Sequence, residues 1–409
     1  MAAMKTIRLK PGKERSLLRR HPWVFESAIA KGGGDRGETV RIESHEGQFL
    51  AWAAFSPDSR IRARAWSFDE AQRIDAAFLE ATLARAVALR DRLAIDSDGV
   101  RLVHGESDGL PGLIVDRYGD TLVAQFTSAG VERWKGVLAD ALLRVTGLAK
   151  LYERSDASAR SLEGLEPVTG WLRGGEGAPV ELSLREHGWT LTLNIAEGHK
   201  TGYYLDQRDS RQRFAQYAER HAFSRVLNCF CYTGGFTVAA LAGMRAAQAA
   251  GRGQGGAVIS IDSSGPALAR ARTHVALNGF DPAQAEFVDA DVNASLRQYL
   301  RDGQRFDAIV LDPPKFAPTA AHAERAARAY KDINRLALQL LVPGGVLFTF
   351  SCSGGISGDL FHKIVASAGA DAGVDGYILE RLGGAPDHPM TLEFPEGEYL
   401  KGLVVMRKA

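Results

Sequence analysis

The sequence lacks the features that mark membrane, disulfide-bonded and zinc-binding proteins. No apolar run reaches the roughly 18 residues that a membrane-spanning helix needs, and the basic N-terminal segment lacks the apolar stretch of a secretory signal. The chain of 409 residues has 3 cysteines and no HExxH or paired CxxC motif. We therefore expect a cytoplasmic protein with no membrane association, no disulfide framework and no bound metal.

A strong excess of one charge is also absent, because 50 Lys and Arg residues face 49 Asp and Glu residues, for a net charge of +1. The whole chain is therefore not an evident nucleic-acid binder. The first twenty residues differ, since they contain only Glu14 as an acid beside these basic residues: Lys5, Arg8, Lys10, Lys13, Arg15, Arg19 and Arg20. A local basic face can contact a phosphate backbone, although a solvated surface explains the same pattern.

The chain is too long for one ordinary domain, and its pattern changes twice. Residues 1–70 contain short strands such as TVRIES, GQFLAWAAF and RIRARAW, which predict a small β domain. Residues 71–190 predict a central α+β domain, with a helix in DAAFLEATLARAVALRDRLAI, a hairpin in GLIVDRYGDTLVAQF and a second helix from Val131 to Val145. In residues 191–409, largely apolar strands alternate with helices, which predicts a doubly wound, parallel α/β sheet.

The first strand of the α/β region ends in the turn NCFCYTGGF, residues 228–236, and a helix follows. The pair Gly234-Gly235 permits a tight turn and a close approach of the backbone to a ligand. The spacing is not GxGxxG, so the turn disfavours a nicotinamide dinucleotide. Ligands of doubly wound sheets bind beyond the carboxyl ends of the strands. The turn is therefore a candidate binding site, and an ordinary α/β turn is the alternative.

Acidic residues follow the next two strands. Asp262 ends the second strand, where a carboxylate can accept hydrogen bonds from ribose hydroxyls. The third strand ends near Asp289 and Asp291, and a carboxylate there could accept a hydrogen bond from an adenine amino group. Asp291 is the better placed of the two, but either residue could instead cap the following helix.

The fourth strand leads directly into Asp312-Pro313-Pro314-Lys315-Phe316. Two prolines fix the backbone and remove two N–H donors, so the loop is stiff and presents the Asp312 carboxylate. Such a carboxylate can accept hydrogen bonds from the amino or imino group of a flat base. A surface turn is the alternative, and the position at the end of a sheet strand argues against it.

Cys352 ends the fifth strand, among the small residues of Ser351-Cys352-Ser353. A thiolate is a strong nucleophile, and its addition to C6 of a cytosine or uracil makes C5 reactive toward a methyl donor. A base then removes the C5 proton and the thiol leaves, whereas methylation of an exocyclic amine needs no thiol. A packed strand end is the alternative, and it is the interpretation that we prefer for Cys229 and Cys231.

The chain resembles the ribosomal RNA large-subunit methyltransferase I family, whose members are S-adenosylmethionine (SAM) dependent cytosine-C5 methyltransferases of 23S rRNA. The resemblance covers nearly all 409 residues. No single motif is specific, but the combination is. Its motifs in chain order are HPWVFESAI, GLPGLIVDRYGD, GHKTGYYLDQRDSR, NCFCYTGGF, DPPKF, AYKDINRLALQLLVPGGVL and SCSGG.

The resemblance implies a fold, a cofactor and partners. The expected fold class is α/β, with a PUA-like RNA-binding domain over residues 1–70, a central α+β domain over 71–190 and a class I Rossmann-like methyltransferase domain over 191–409. SAM is the expected cofactor and 23S rRNA the expected partner, while both a monomer and a homodimer stay open. PUA domains bind structured RNA, which would give the basic N-terminal segment a function.

The resemblance also implies roles for individual residues. Cys352 looks like the nucleophile, and Asp312 looks like the residue that contacts the target base. The cofactor site is expected to contain Gln207, Tyr232, Thr233, Gly234, Asp262, Asp291 and Asp312. The mouth of the pocket is expected to contain Lys200, Thr201 and Tyr204. Arg208 would pair with either the methionine carboxylate or an RNA phosphate.

Two other functions fit parts of the sequence. The first alternative function is an rRNA base N-methyltransferase that does not use Cys352, because related rRNA enzymes with DPPK segments methylate guanine nitrogen. The Ser-Cys-Ser sequence argues against it, and so does Lys315, because amino-methylating enzymes usually have an aromatic residue after the Pro pair. The second is a non-catalytic RNA-binding assembly factor, and the intact cofactor and catalytic motifs argue against it.

Overall fold

The computed structural model describes residues 4–316 and 323–409. Residues 1–3, which belong to the first predicted domain, lie outside the described residues. The chain forms two compact units, described separately below. The first contains Met1–Glu186, Leu193–Leu205 and Pro386–Gly397, and the second contains His187–Thr192, Asp206–Ala385 and Glu398–Ala409. Of the helices in the described ranges, none has the length and apolar character needed to cross a membrane.

The first unit begins with a six-stranded sheet. Its elements are β1 (Thr6–Leu9), α1 (Arg15–Leu18), β2 (Trp23–Phe25), β3 (Ile29–Gly32), β4 (Thr39–Glu43), β5 (Phe49–Phe55) and β6 (Ile61–Ser67). The strands are arranged in the order β2-β6-β5-β4-β1-β3. In β4 the residues Val40 and Ile42 are buried while their neighbours stay partly exposed. This alternation is typical of a sheet with one packed face.

A second sheet and three helices complete most of the first unit. Their bounds are α2 (Ala76–Arg92), β7 (Gly99–His104), β8 (Leu113–Tyr118), β9 (Thr121–Phe126), α3 (Ala129–Arg133), α4 (Lys135–Thr146), β10 (Lys150–Ser155) and β11 (Val168–Arg173). The sheet order is β11-β10-β9-β8-β7. The helix expected from Val131 to Val145 is divided into α3 and α4, because Trp134 adopts φ −94° and ψ 7°, close to the bridge region that interrupts a regular helix.

Strands β12 (Glu181–Glu186) and β13 (Trp189–Asn194) come next in the chain. The remaining elements of the chain follow in sequence. They are α5 (Arg208–His221), β14 (Arg225–Cys229), α6 (Gly235–Ala249), β15 (Ala257–Asp262), α7 (Gly265–Leu277), β16 (Ala285–Asp289), α8 (Val292–Arg301), β17 (Phe306–Leu311), α9 (Ala323–Leu340), β18 (Leu341–Ser351), α10 (Gly358–Ala372), β19 (Gly376–Leu382) and β20 (Lys401–Arg407).

The main sheet of the second unit has seven strands in the order β16-β15-β14-β17-β18-β20-β19. Strands β14 to β18 run parallel, and β20 is antiparallel to both β18 and β19. Helices α5, α6 and α7 pack together, as do α8, α9 and α10. The predicted doubly wound α/β sheet is therefore confirmed, but the prediction that its strands are parallel is wrong for β20. The strand order reverses at β14, which pairs with β15 on one side and β17 on the other, and ligands bind such sheets at this reversal.

Candidate active site

The turn after β14 is held in an uncommon conformation. Phe230 and Tyr232 adopt left-handed backbone angles, with φ +58° and +47°, a conformation that non-glycine residues seldom take. The turn is anchored by the Cys231 N–H, which donates to the Ile261 carbonyl at 3.0 Å, and by the Gly234 N–H, which donates to the Cys231 carbonyl at 2.8 Å. Such strain is found where a backbone is fixed for binding.

Gly234 is needed at the start of α6 for two reasons. Its φ is +76°, and a Cβ added there would lie 2.8 Å from the Cβ of Ala271 in α7. Any side chain would therefore be strained and would also collide with the neighbouring helix. The helix N-terminus consequently stays close to the end of β14, where its free N–H groups can face a polar ligand.

Asp262 connects this turn to the second strand. Its Oδ2 accepts a hydrogen bond from the Tyr232 N–H at 2.8 Å, and its Oδ1 accepts one from the Ser264 N–H at 3.0 Å. Each carboxylate oxygen can accept a second hydrogen bond. Since Asp262 is only partly buried, the carboxylate can fix the turn and still accept hydrogen bonds from the hydroxyls of a ligand.

The two acids near the end of β16 have different positions. Asp289 lies beside Asp262 as its partner in the parallel pairing of β15 and β16. Asp291 is the N-cap of α8, and its Oδ1 accepts a hydrogen bond from the Ala294 N–H at 2.8 Å. The capping alternative is thus realised for Asp291, which is exposed and keeps a second oxygen. Its adenine contact stays a prediction.

Cys352 and the Asp312-Pro313-Pro314 segment come together at the ends of β18 and β17. These strands are neighbours, with Leu311 paired to Thr349. The Cys352 Sγ lies 3.9 Å from the Pro313 carbonyl oxygen, and both Cys352 and Asp312 are partly exposed. The site therefore places a thiol and a carboxylate at one edge of the sheet.

The other two cysteines differ from Cys352 in burial. Cys229 is 0% exposed and Cys231 is 7% exposed. Burial raises the pKa of the Cys229 thiol, and for Cys231 burial and the nearby Asp262 charge raise the pKa well above its usual value. Both thiols therefore stay protonated and packed, which confirms the packing interpretation. Cys352 is the candidate nucleophile.

Comparisons with known proteins identify the family. A model described as S-adenosylmethionine-dependent methyltransferase matches residues 165–403, and a PUA-like domain model matches residues 7–68. The chain is 49% identical over 398 residues to Ribosomal RNA large subunit methyltransferase I of Shigella boydii serotype 4, which covers 96% of this chain and 97% of that protein. The protein of the same name from Escherichia coli O139:H28 has the same identity and coverage.

The chain belongs to the ribosomal RNA large subunit methyltransferase I family.

Solved structures share the fold of this family member. A Streptococcus mutans chain described as a SAM-dependent methyltransferase superposes with a TM-score of 0.83 at 21% identity, over 98% of this chain and 100% of that chain. A methyltransferase complexed with SAH, the demethylated form of SAM, gives a TM-score of 0.84 at the same identity and coverage. At this identity the likeness shows the fold alone. The likeness confirms the expected fold together with the PUA-like and methyltransferase family models, and the SAM cofactor is confirmed by the family model and the family membership.

The residues present fit SAM, because two buried polar side chains, one in the cofactor turn and one at the start of α5, which packs against α6, lack hydrogen-bond partners within the described part of the chain. Gln207 is 2% exposed and Thr233 is 4% exposed. Neither the Gln207 amide nitrogen and oxygen nor the Thr233 hydroxyl has a partner there. A buried amide without partners destabilises a fold. The amino and carboxylate groups of the methionine portion of SAM are suitable partners for both.

His274 is a residue of the site that sequence reasoning missed. Its Nδ1 donates to the Thr233 carbonyl at 2.7 Å, and its Nε2 accepts from the Thr192 N–H at 2.9 Å. Burial lowers its pKa to about 4, although the hydrogen bond that the ring donates to the Thr233 carbonyl opposes the shift. The neutral ring therefore fixes the carbonyl of Thr233 in the cofactor turn. A single histidine within a helix gives no sequence signal for this contact.

Tyr330 and Lys401 were also missed, and both contact the residue after Cys352. The Tyr330 hydroxyl lies 3.0 Å from the Ser353 Oγ, and the Lys401 ammonium donates to the Ser353 carbonyl at 2.9 Å. Burial raises the pKa of Tyr330, and the charges of Cys352 and Asp312 contribute in the same direction. The groups around Cys352 therefore come from the segments that follow β17 and β18, from α9 and from β20.

The remaining predicted residues divide between the units. Arg208, 1% exposed, begins α5 of the second unit. In the first unit Thr201 is buried, and its hydroxyl donates to the Asp116 carboxylate. The Lys200 Nζ lies 4.3 Å from the centre of the Tyr204 ring in the same unit. The roles expected for Lys200, Thr201, Tyr204 and Arg208 stay predictions.

Proposed function

We propose that this chain methylates C5 of a cytosine in 23S rRNA through a covalent bond between Cys352 and C6 of the base. The substrate class is supported by the names of the relatives at 49% identity and by the PUA-like match over residues 7–68. The observation that carries the chemistry is the position of Cys352. It is the partly exposed thiol among three cysteines, and it lies beside the segment that begins with Asp312.

The proposed cofactor contacts follow from the polar groups around the turn. Bound SAM supplies an electrophilic methyl group on a positively charged sulfur. The Gln207 amide and the Thr233 hydroxyl would bind the methionine portion, and Asp262 would accept from the ribose hydroxyls. Tyr232 and Gly234 would fix the turn that holds the cofactor, while Asp291 would contact the adenine.

The proposed reaction uses Cys352 as a nucleophile and Asp312 as a base-contacting residue. The Cys352 thiolate forms a bond to C6, and the electron pair of the C5–C6 double bond becomes available at C5, which takes the methyl group. The C5 proton then leaves to a basic group or to water. The thiolate is expelled as the C5–C6 double bond re-forms. Asp312 would accept a hydrogen bond from the exocyclic amino group and hold the ring in place.

Nucleoside mass spectrometry tests this proposal. Unmodified 23S rRNA transcripts are incubated with SAM and purified protein, then digested and analysed. We expect 5-methylcytosine with the natural protein, none with Cys352→Ala, and retained product with the control Cys229→Ala, whose thiol is buried in the sheet. Calorimetry should show that Cys352→Ala still binds SAM. Methylation at a base nitrogen, or 5-methylcytosine from Cys352→Ala, would contradict the covalent mechanism.

A further inference from the structure

A buried lysine lies next to the candidate nucleophile. Lys401 begins β20, is paired with Ser351 across the sheet, and is only 5% exposed. Its Nζ donates to the Ser353 carbonyl at 2.9 Å and to the Tyr399 carbonyl at 2.9 Å. An ammonium group has three hydrogens, so these two bonds leave one for a further acceptor.

The partners of Lys401 are neutral carbonyls. Across residues 4–316 and 323–409, no carboxylate forms an ion pair with this ammonium, and its contacts are the two carbonyl oxygens. Lysine is seldom fully buried unless it is paired with an opposite charge. An ammonium held in this way therefore suits an anion that is present during only part of a reaction cycle.

The charged groups around Lys401 indicate that this anion is the Cys352 thiolate. Burial lowers the pKa of Lys401, a Cys352 thiolate and Glu398 oppose that shift, and Lys315 adds to it. The Asp312 carboxylate, on the neighbouring strand end, carries a negative charge that disfavours a second anion nearby. Attraction between an ammonium and a thiolate favours the charged form of both groups, so Lys401 can offset the effect of Asp312.

We propose that Lys401 is a positioning residue that makes Cys352 reactive: its buried ammonium fixes the Ser353 carbonyl and supplies the positive charge that stabilises the Cys352 thiolate. The proposal rests on Cys352 being the nucleophile of the proposed function. The thiol loses its proton to solvent, and no other bond changes in this step. Tyr330, through its hydroxyl contact with Ser353, supports the same turn from α9.

The pH profile of Cys352 alkylation tests this role. Iodoacetamide is reacted with the full chain from pH 5 to 10, and the modified Cys352 peptide is quantified by mass spectrometry, which separates it from the buried thiols. We expect the midpoint of the natural protein to lie below about 8.5, the ordinary cysteine value. Lys401→Met should raise that midpoint by at least one unit, which lowers the rate at pH 7 by about tenfold.

Two controls make the result specific. Lys408→Met removes an exposed positive charge beyond the other end of β20 and should leave the profile unchanged. Lys401→Arg keeps the charge and should restore part of the reactivity. An unchanged profile in a Lys401→Met protein that still binds SAM would overturn the proposal. If Lys401→Met does not fold, the natural protein alone provides the test: an alkylation midpoint at or above about 8.5, the ordinary cysteine value, overturns the proposal. Because alkylation needs no methyl transfer, this test can fail while the proposed function stands.

Discussion

Replacing Gly234 by alanine should damage both stability and cofactor binding. A left-handed backbone costs a non-glycine residue about 1–2 kcal/mol, and Gly234 has φ +76°. The added Cβ would also lie 2.8 Å from that of Ala271, and overpacking of this kind costs about 1–3 kcal/mol. The two effects together predict a loss of about 2–5 kcal/mol in the free energy of unfolding.

Gly251 provides a matched control for this substitution. It has φ +71° and follows the other end of α6, but a Cβ added there would meet nothing within 4 Å. Gly251→Ala should therefore cost only the backbone portion, about 1–2 kcal/mol. The difference between the two variants isolates the collision with α7.

Urea denaturation and SAM calorimetry provide the two readouts. Because the collision displaces the N-terminus of α6, SAM affinity should fall by at least about tenfold in Gly234→Ala, or about 1.4 kcal/mol. Gly251→Ala should bind SAM like the natural chain. Equal stability losses in the two variants, together with unchanged SAM affinity in Gly234→Ala, would refute the role assigned to this turn.

Three further substitutions and one control test other features of the molecule. Gln207→Leu should leave urea stability unchanged or higher, because its buried amide has no partner in the described residues, while SAM affinity measured by calorimetry falls about tenfold or more. Because the pKa of His274 is about 4 in the folded chain against 6.5 ordinarily, the unfolded chain binds more protons between these values. The free energy of unfolding therefore falls as the pH falls through that window, by about 1.4 kcal/mol per pH unit. In His274→Gln the urea midpoint should fall less between pH 7 and pH 4.5 than it does in the natural chain. Asp116→Asn should destabilise the chain by about 3–5 kcal/mol, because it breaks a buried ion pair with Arg101, whereas Asp120→Asn, at an exposed ion pair, should cost about 0–1 kcal/mol in the same urea assay.

The sheet of the second unit could be predicted because its strands are apolar and regularly alternate with helices. Strands β14 and β17 and most of β18 are buried on both faces, as their composition indicates, whereas the edge strand β16 is only partly buried. The position of β20 between β18 and β19 could not be predicted in the same way. The pattern GLVVMRK is equally compatible with an edge strand and with an inserted antiparallel strand, since periodicity reports burial and not strand order.

The candidate site could be predicted where a chemical group follows a strand directly, as with Asp262, Asp312 and Cys352. Contacts between distant parts of the chain could not be predicted. Lys401 lies 48 residues from Ser353, and a lysine at the start of a strand is usually exposed. His274 likewise contacts Thr233 only because α7 packs beside the cofactor turn. Such contacts depend on strand order and helix packing.

Trapping the covalent intermediate tests the role of Cys352 most directly. RNA with 5-fluorocytidine at the target position cannot lose a proton from C5 after methyl transfer, so the bond between Cys352 and C6 should persist. We expect a SAM-dependent complex that survives denaturing electrophoresis, with the RNA attached to the Cys352 peptide, and no complex with Cys352→Ala. Absence of this complex while unsubstituted RNA gains 5-methylcytosine, or attachment to another residue, would contradict the account.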